Sequence, residues 1–413
     1  MGHEFGHNVP PTSISATSRG LGKGPIIASV LRFLTSGESH GPQLTVVIEG
    51  LPAGLEISEE DLRRDLARRQ GGHGRGGRQK IETDVARIVS GVRGGYTIGS
   101  PLTLVLENKD HVNWTGQMTA SKEGFEPKVV TRLRPGHADL AGALKYGHTD
   151  IRNVLERSSA RETATRVAAG GVARKLLSRF GIDIVSFTQS IGTIDIGFEG
   201  FNADVLTEED VQRSPVRCPD PEASTRMVAA IDEAAEQGDT LGGTFRVVAR
   251  GVPPGLGSYV HWDRKLDGRL AQAVLSINAV KGVEFGAGFV GASRRGSEFH
   301  DEIDYQEGRF HHLTNRAGGL TGGVTNGEPI DLRVALKPIS TMKKPMRSID
   351  LNTKEKTEAH YERSDVCVVP AAGVIGEAVV ALVIADALLE KFGGDSMTEL
   401  ERNYRAYMES IAQ

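Results

Sequence analysis

Glycine constrains this chain more than any other residue. It fills 51 of 413 positions, about 12%, against a typical ~7%. Each glycine costs backbone entropy when fixed. The excess therefore implies a use that only glycine serves: tight turns, or close approach of backbone to a ligand. Gly71, Gly72, Gly74, Gly76 and Gly77 crowd into residues 63–80, among Arg63, Arg64, Arg68, Arg69, Arg75, Arg78 and Lys80. Arginine forks bind phosphate and carboxylate bidentately, and the glycines would let such a loop close tightly round an anion. A solvated basic helix face is the plain alternative. RNA binding is the sharper one, since arginine–glycine tracts hold single strands. Two facts favour a small anion. No Phe, Tyr or Trp is interleaved in the stretch, and 49 Lys and Arg against 53 Asp and Glu leave the chain at −4. A polyanion-binding domain is expected to be strongly basic.

The rest of the composition is that of an ordinary soluble globular protein, 38% hydrophobic and 25% charged. Cys218 and Cys367 are its two cysteines and form no CxxC pair, which removes a zinc ribbon, a thioredoxin-like motif and a disulfide scaffold. The longest uninterrupted apolar stretch near the C-terminus, residues 378–385, falls well short of the roughly 18 residues of a membrane span. Residues 1–29 have no apolar periodicity and lack the basic start and apolar core of a signal peptide. They read as a disordered tail or an added extension.

From Leu31 the pattern is mixed. Residues 44–49 and 102–107 read as strands, and residues 244–250 and 331–337 as half-buried strands by their alternation. Ser58 is a candidate N-cap for a helix carrying Leu62 and Leu66. A strong helix is expected over 159–180, from Ala164, Val167, Ala168, Val172, Leu176 and Phe180, with Gly181 as its stop. Others follow Trp262 and span 371–392. No linker cuts the chain, so residues 30–413 are expected to form one large α+β domain.

Four segments carry candidate chemistry. His40 sits between small residues in Gly37-Glu38-Ser39-His40-Gly41, where it could exchange protons near neutral pH, or simply form a polar turn. The arginine–glycine stretch is the second. The third joins Arg134-Pro135-Gly136-His137-Ala138-Asp139 to residues 156–162, where Ser158, Ser159 and Arg161 would head the long helix. Helix N-termini seat phosphate, although Ser159 and Glu162 also have capping-box spacing. The fourth holds Arg363, Ser364 and Asp365, grouped with residues 315–323 and 337–341. On its own, Asp365 is an acid beside an arginine, which most often is only an ion pair.

Taken together, these stretches resemble one family, chorismate synthase, from about Leu31 to about Phe392. The resemblance rests on GESHGPQLTVVIEGLP (37–52), ERSSARETATRVAAGGV (156–172), RSDVCVVPAAGVIGEAV (363–379), RPGHAD (134–139) and SINAVKGVEFG (276–286). It implies a carbon–oxygen lyase of the shikimate pathway: 1,4-anti elimination of phosphate and a ring proton from 5-enolpyruvylshikimate 3-phosphate. Reduced FMN is required without net redox change. NADPH is a candidate reductant, as in bifunctional members, and a separate reductase is the alternative.

The resemblance also implies residue roles. His40 would be the acid for the departing phosphate. His137 would protonate or stabilise the reduced flavin, and Asp365 would assist flavin N5 in taking the ring proton. Substrate anions would meet Ser39, Arg69, Arg75, Arg78, Arg134 and Arg161. Flavin contacts would map to Arg157, Ser158, Ser159, Asn278, Ala279, Gly322, Lys337, Pro338, Ile339, Ser340, Thr341 and Arg363. No metal, nucleic acid or membrane is implied. The implied fold is a β-α-β sandwich, two antiparallel sheets enclosing helices, in a cytoplasmic homotetramer. Arg316 stands where some members have His and receives no role. A flavin oxidoreductase would instead consume reductant with product, and a nucleic-acid binder would lose affinity steeply with salt.

Overall fold

The structure is a computed structural model that describes residues 30–76, 83–197, 205–306, 308–362 and 364–412. The expectations for residues 1–29, and those for Arg78 and Arg363, lie outside the described residues.

One sheet has four antiparallel strands: β1 (Arg32–Ser36), β2 (Gln43–Glu49), β3 (Arg87–Ser90) and β4 (Leu102–Glu107), in the order β1-β2-β4-β3. Leu44 faces Leu106, Val46 faces Leu104 and Ile48 faces Leu102. All six are buried, as a period of two requires when one face of a sheet is covered. The second sheet has β5 (Asp183–Ile191), β6 (Ile194–Asp195), β7 (Gly243–Arg250), β8 (Val280–Phe285) and β9 (Ile330–Leu336), antiparallel in the order β8-β9-β7-β5-β6.

The half-buried reading of residues 244–250 needs correction. Phe245 through Ala249 are all buried. Val248 on the second face packs with Val185, Phe187, Leu206 and Val211. Arg246, the polar position of the alternation, stays inside because Asp331 on β9 pairs with it and its guanidinium lies over the Phe187 ring, 5.6 Å from the centroid.

The helices that position the site are α1 (Glu59–Gln70), α2 (Asp139–Tyr146), α3 (Arg152–Ser158), α4 (Thr163–Ser178), α5 (Leu266–Leu275), α6 (Val369–Phe392) and α7 (Met397–Ile411). Helix α1 starts in a capping box between Ser58 and Asp61. Helix α4 packs against α1, β2 and β4, α6 packs against β5, β7 and α5, and α4 and α6 pack on each other. A shared apolar core runs from Leu31 to Leu400 and takes side chains from both sheets.

Glycine makes the α4–α6 contact possible. A Cβ on Gly170 would overlap the Cα and Cβ of Ala378. Helix α6 is long and apolar enough to cross a membrane by length and composition, yet 94% of its most apolar window is buried inside the fold. Its one fully buried acid, Glu377, accepts hydrogen bonds from Arg68 Nη2 (2.7 Å), Arg217 Nη2 (3.1 Å) and Ser186 Oγ (2.6 Å), with Arg174 also paired to it. Burial pushes this carboxyl up, but the surrounding guanidiniums outweigh burial and hold it well below the usual carboxylate range.

The long helix expected from Ser159 begins instead at Thr163. Ser159 is extended (φ −63°, ψ 140°), its hydroxyl accepts from the Arg161 amide, and a 3₁₀ turn, Ala160–Glu162, follows. The capping box does not form, because Glu162 is taken by Arg166 at 2.8 Å.

Candidate active site

The ends of these elements converge on a cavity of about 640 Å³. Ser39 and His40 enter from the turn after β1, Arg69 from the last turn of α1, and Arg75 and Gly76 from the loop after it. Arg134 and His137 come from the loop before α2, and Glu156 and Ser158–Arg161 from α3 and the turn beyond it. Asn278 and Ala279 precede β8, and Lys337, Ile339, Ser340 and Thr341 follow β9. Asp365, Val368, Ala371, Ala372 and Ile375 close the wall at the head of α6.

His40 is held on two sides. Its backbone amide donates to Glu156 Oε2 at 2.8 Å, and its Nδ1 lies 2.8 Å from Glu156 Oε1. Its ring stacks on Trp114, centroids 3.9 Å apart and planes at 24°. Arg152 lies over the other ring of this stack, 5.1 Å from the Trp114 centroid, and reaches Glu362 at 2.7 Å.

His137 is also backed by a buried acid. Its Nδ1 is 2.5 Å from Asp139 Oδ1, while Asp139 Oδ2 accepts from Arg134 Nε and the Arg134 amide, each at 3.0 Å. Burial pushes the Asp139 carboxyl up, but the His137 and Arg134 hydrogen bonds and charges outweigh it and hold it at about 2. Arg134 Nη1 donates to Thr341 Oγ1 at 3.1 Å, tying this corner to the segment after β9.

The arginines form a buried group. Asp84 accepts from Arg161 Nη1 at 2.6 Å and from Arg69 Nη1 at 3.4 Å. Arg69 is buried, and that burial, with repulsion from Arg161 and Arg75, lowers its pKa to about 10 despite Asp84. Six lining cations (Arg69, Arg75, Arg134, Arg152, Arg161, Lys337) meet four lining acids (Asp110, Glu156, Glu362, Asp365), so the wall carries +2 with neutral histidines. An anionic ligand suits such a wall.

Asp365 does not stand as an exposed ion pair. Oδ2 is 2.9 Å from Arg75 Nη1, and Oδ1 accepts from the Gly76 amide at 2.5 Å. The loop glycines face protein: Gly74 has φ +83°, and a Cβ there would come within 2.8 Å of Ile231 Cγ2 and 3.3 Å of the Cys367 amide nitrogen. The arginine–glycine loop is thus closed on residues 364–367, with Val366 N donating to Gly74 O at 2.8 Å.

Of the expected flavin contacts, Ser158, Ser159, Asn278, Ala279, Lys337, Ile339, Ser340 and Thr341 line the cavity. Arg157, Gly322 and Pro338 do not. Arg157 instead donates to Thr35 O and Gly37 O, each at 3.0 Å, and Gly322 turns the hairpin between Leu320–Thr321 and Val324–Thr325. The sequence reading missed Glu156, Asp139, Asp84, Trp114, Arg152 and Glu362. The first two lie inside the motif stretches; Asp139 is two residues from His137, where an acid near a histidine was the available signal, whereas Glu156 is far from His40 in sequence. The others come from distant segments and carry no local mark. Among the described residues no group of three or more His, Cys, Asp or Glu could hold a metal ion.

The family model for chorismate synthase matches residues 31–389. The chain belongs to the chorismate synthase family. The chorismate synthase of Desulforudis audaxviator is 57% identical over 92% of this chain and 98% of its own length. That of Geobacter sulfurreducens is 56% identical over 92% and 99%. A solved crystal structure of a chorismate synthase superposes with a TM-score of 0.76 at 44% identity, covering 92% of this chain and 98% of the other. The α+β mixture of helices and antiparallel sheets is thus that of a chorismate synthase, and the family's chemistry is a carbon–oxygen lyase reaction.

Proposed function

We propose that this chain converts 5-enolpyruvylshikimate 3-phosphate to chorismate and phosphate by 1,4-anti elimination, with reduced FMN required but not consumed. The family match over residues 31–389 carries the reading. The oxidoreductase and nucleic-acid rivals have no comparable observation behind them.

The cavity wall fits FMN. Asn278 Oδ1 is a buried acceptor without a partner among the described residues. Lys337 has no carboxylate partner among the described residues, and burial together with Lys281 lowers its pKa, so an anionic group beside it would be stabilising. Val368, Ala371, Ala372 and Ile375 offer an apolar surface to a flat ring system. Lys337, Ser158, Ser159, Ile339, Ser340, Thr341, Asn278 and Ala279 would hold the cofactor, with Arg363 and the outlying Arg157, Gly322 and Pro338 completing the set. When bound, reduced flavin lends electron density as the carbon–oxygen bond weakens.

This chain's own residues position charge and protons. Arg69, Arg75, Arg78, Arg134 and Arg161, with Ser39, bind the substrate anions. Arg75 Nε is buried without a partner among the described residues, so it has a hydrogen bond to offer. His40 donates a proton to the departing phosphate. His137, oriented by Asp139, holds a proton beside the cofactor. Asp365 relays the ring proton away from the cofactor, with Arg75 and the Gly76 amide stabilising its charge.

The contacts of α4 with the first sheet and of α6 with the second support a β-α-β sandwich. Exposed Trp262, Phe289 and Phe310, each more than 70% accessible, support burial in a homotetramer. We assign the enzyme to the cytoplasm on the same family reading. The deciding experiment is an anaerobic assay with substrate and chemically reduced FMN, run with and without NADPH. Chorismate over many turnovers per flavin is expected. Flavin oxidised in step with product would overturn the lyase reading, and turnover from oxidised FMN plus NADPH alone would add a reductase activity.

A further inference from the structure

We infer that Glu156 is the positioning residue that makes His40 a proton donor, an inference that rests on the acid role given to His40 above. Glu156 is buried, and its two oxygens meet two different donors of one residue, the His40 amide at Oε2 and the His40 ring at Oε1, both at 2.8 Å, with Arg152 Nη1 a longer donor to Oε1 at 3.5 Å. Only a carboxylate accepts at both ends; an amide side chain presents an acceptor at one end and donors at the other. The part-buried His40 amide takes Oε2 as its acceptor, so Oε2 is committed to the backbone and Oε1 fixes the ring. The proton on the ring side of Glu156 then sits on Nδ1, and Nε2 is the ring nitrogen that Glu156 does not engage. Trp114, stacked at 3.9 Å, holds the ring plane.

The proton balance follows. A second proton on Nε2 makes an imidazolium whose charge Glu156 offsets. As the substrate carbon–oxygen bond breaks, its electron pair goes to the phosphate oxygen, which takes the Nε2 proton. The ring returns to neutral with Nδ1–H still on Glu156, and solvent restores Nε2.

Glu156→Gln tests this with almost no change of shape. With the amide carbonyl on the His40 N–H, the NH₂ group turns toward Nδ1. Nδ1 then accepts, the neutral ring carries its proton on Nε2, and an imidazolium would set two donors face to face. kcat is expected to fall by roughly 10²–10⁴, with the substrate KM nearly unchanged. Adding Glu156→Gln to His40→Ala is expected to cost nothing further, because Glu156 acts through His40. ¹⁵N NMR of histidine-labelled enzyme is expected to place the His40 proton on Nδ1 in the unaltered protein and on Nε2 in the variant. An Nε2–H tautomer in the unaltered protein overturns the inference even if the variant fails to fold. So does a multiplicative loss in the double variant. Normal turnover in Glu156→Gln beside a defective His40→Ala overturns this inference alone, whereas normal turnover in His40→Ala overturns the acid role and this inference with it.

Discussion

Asp365 is where the sequence and the folded site differ most usefully. Its neighbour in sequence is Arg363, but its observed partner is Arg75, 290 positions away (365 minus 75), at 2.9 Å. Two roles are therefore open to test: proton acceptor, or tether for a substrate-binding arginine. Arg75→Ala should weaken substrate binding by about 1.5–3 kcal/mol, typical of a hydrogen bond to a charged group, and appear mainly in KM. Asp365→Asn removes basicity and keeps the shape. It should cut kcat by roughly 10²–10⁴, with a smaller change in KM. Anaerobic steady-state kinetics with excess reduced FMN separates them. An Asp365→Asn enzyme with the kinetics of Arg75→Ala would make Asp365 a tether only.

Between elements, the glycine excess explains itself in a way composition could not specify. Gly170 lets α4 lie against Ala378 of α6 with no side chain between them. Helix interiors ordinarily prefer alanine over glycine by about 1 kcal/mol. At this contact the preference should reverse. Gly170→Ala is expected to destabilise the fold by about 1–3 kcal/mol or more, the usual cost of overpacking, read as a lower denaturation midpoint with an unchanged m-value. The same contact carries the head of α6, and with it Val368–Ile375, into the cavity wall, so flavin affinity should weaken too. A neutral or stabilised variant would mean that α4 and α6 are further apart than described.

At the level of the whole molecule, acid should reach the site before it reaches the core's apolar contacts. Asp139 is held at about 2 from an ordinary 3.8, and Glu362 at about 2 from 4.5. In both, burial is outweighed by histidine and arginine partners. A carboxyl held below its unfolded value adds stability above that value, and the contribution is lost as pH falls through the folded one. Stability should thus decline between roughly pH 4.5 and pH 2, and Asp139→Asn should flatten that part of the curve when melting temperature is followed against pH. An unchanged slope would remove Asp139 from the account. Deleting residues 1–29 is a second test at this scale. The family match begins at residue 31, and the tail's composition offers little apolar surface to bury, so melting temperature and turnover should stay nearly unchanged.

Local order was readable wherever neighbours in sequence supply the interaction: the Ser58–Asp61 cap, the alternation in β2 and β4, and the apolar length of α6 all follow from short-range periodicity and capping. The motif stretches pointed to the family and to His40, His137 and Asp365, which the structure then brings to one cavity. Tertiary structure alone decided what faces what. It set Glu156 behind His40, Asp84 beneath Arg69 and Arg161, and Arg75 against Asp365. Those pairings join residues from separate segments, and a one-dimensional pattern carries no record of the partner. Electrostatic contacts are chosen by distance and burial, and both are set only once the helices and sheets have packed.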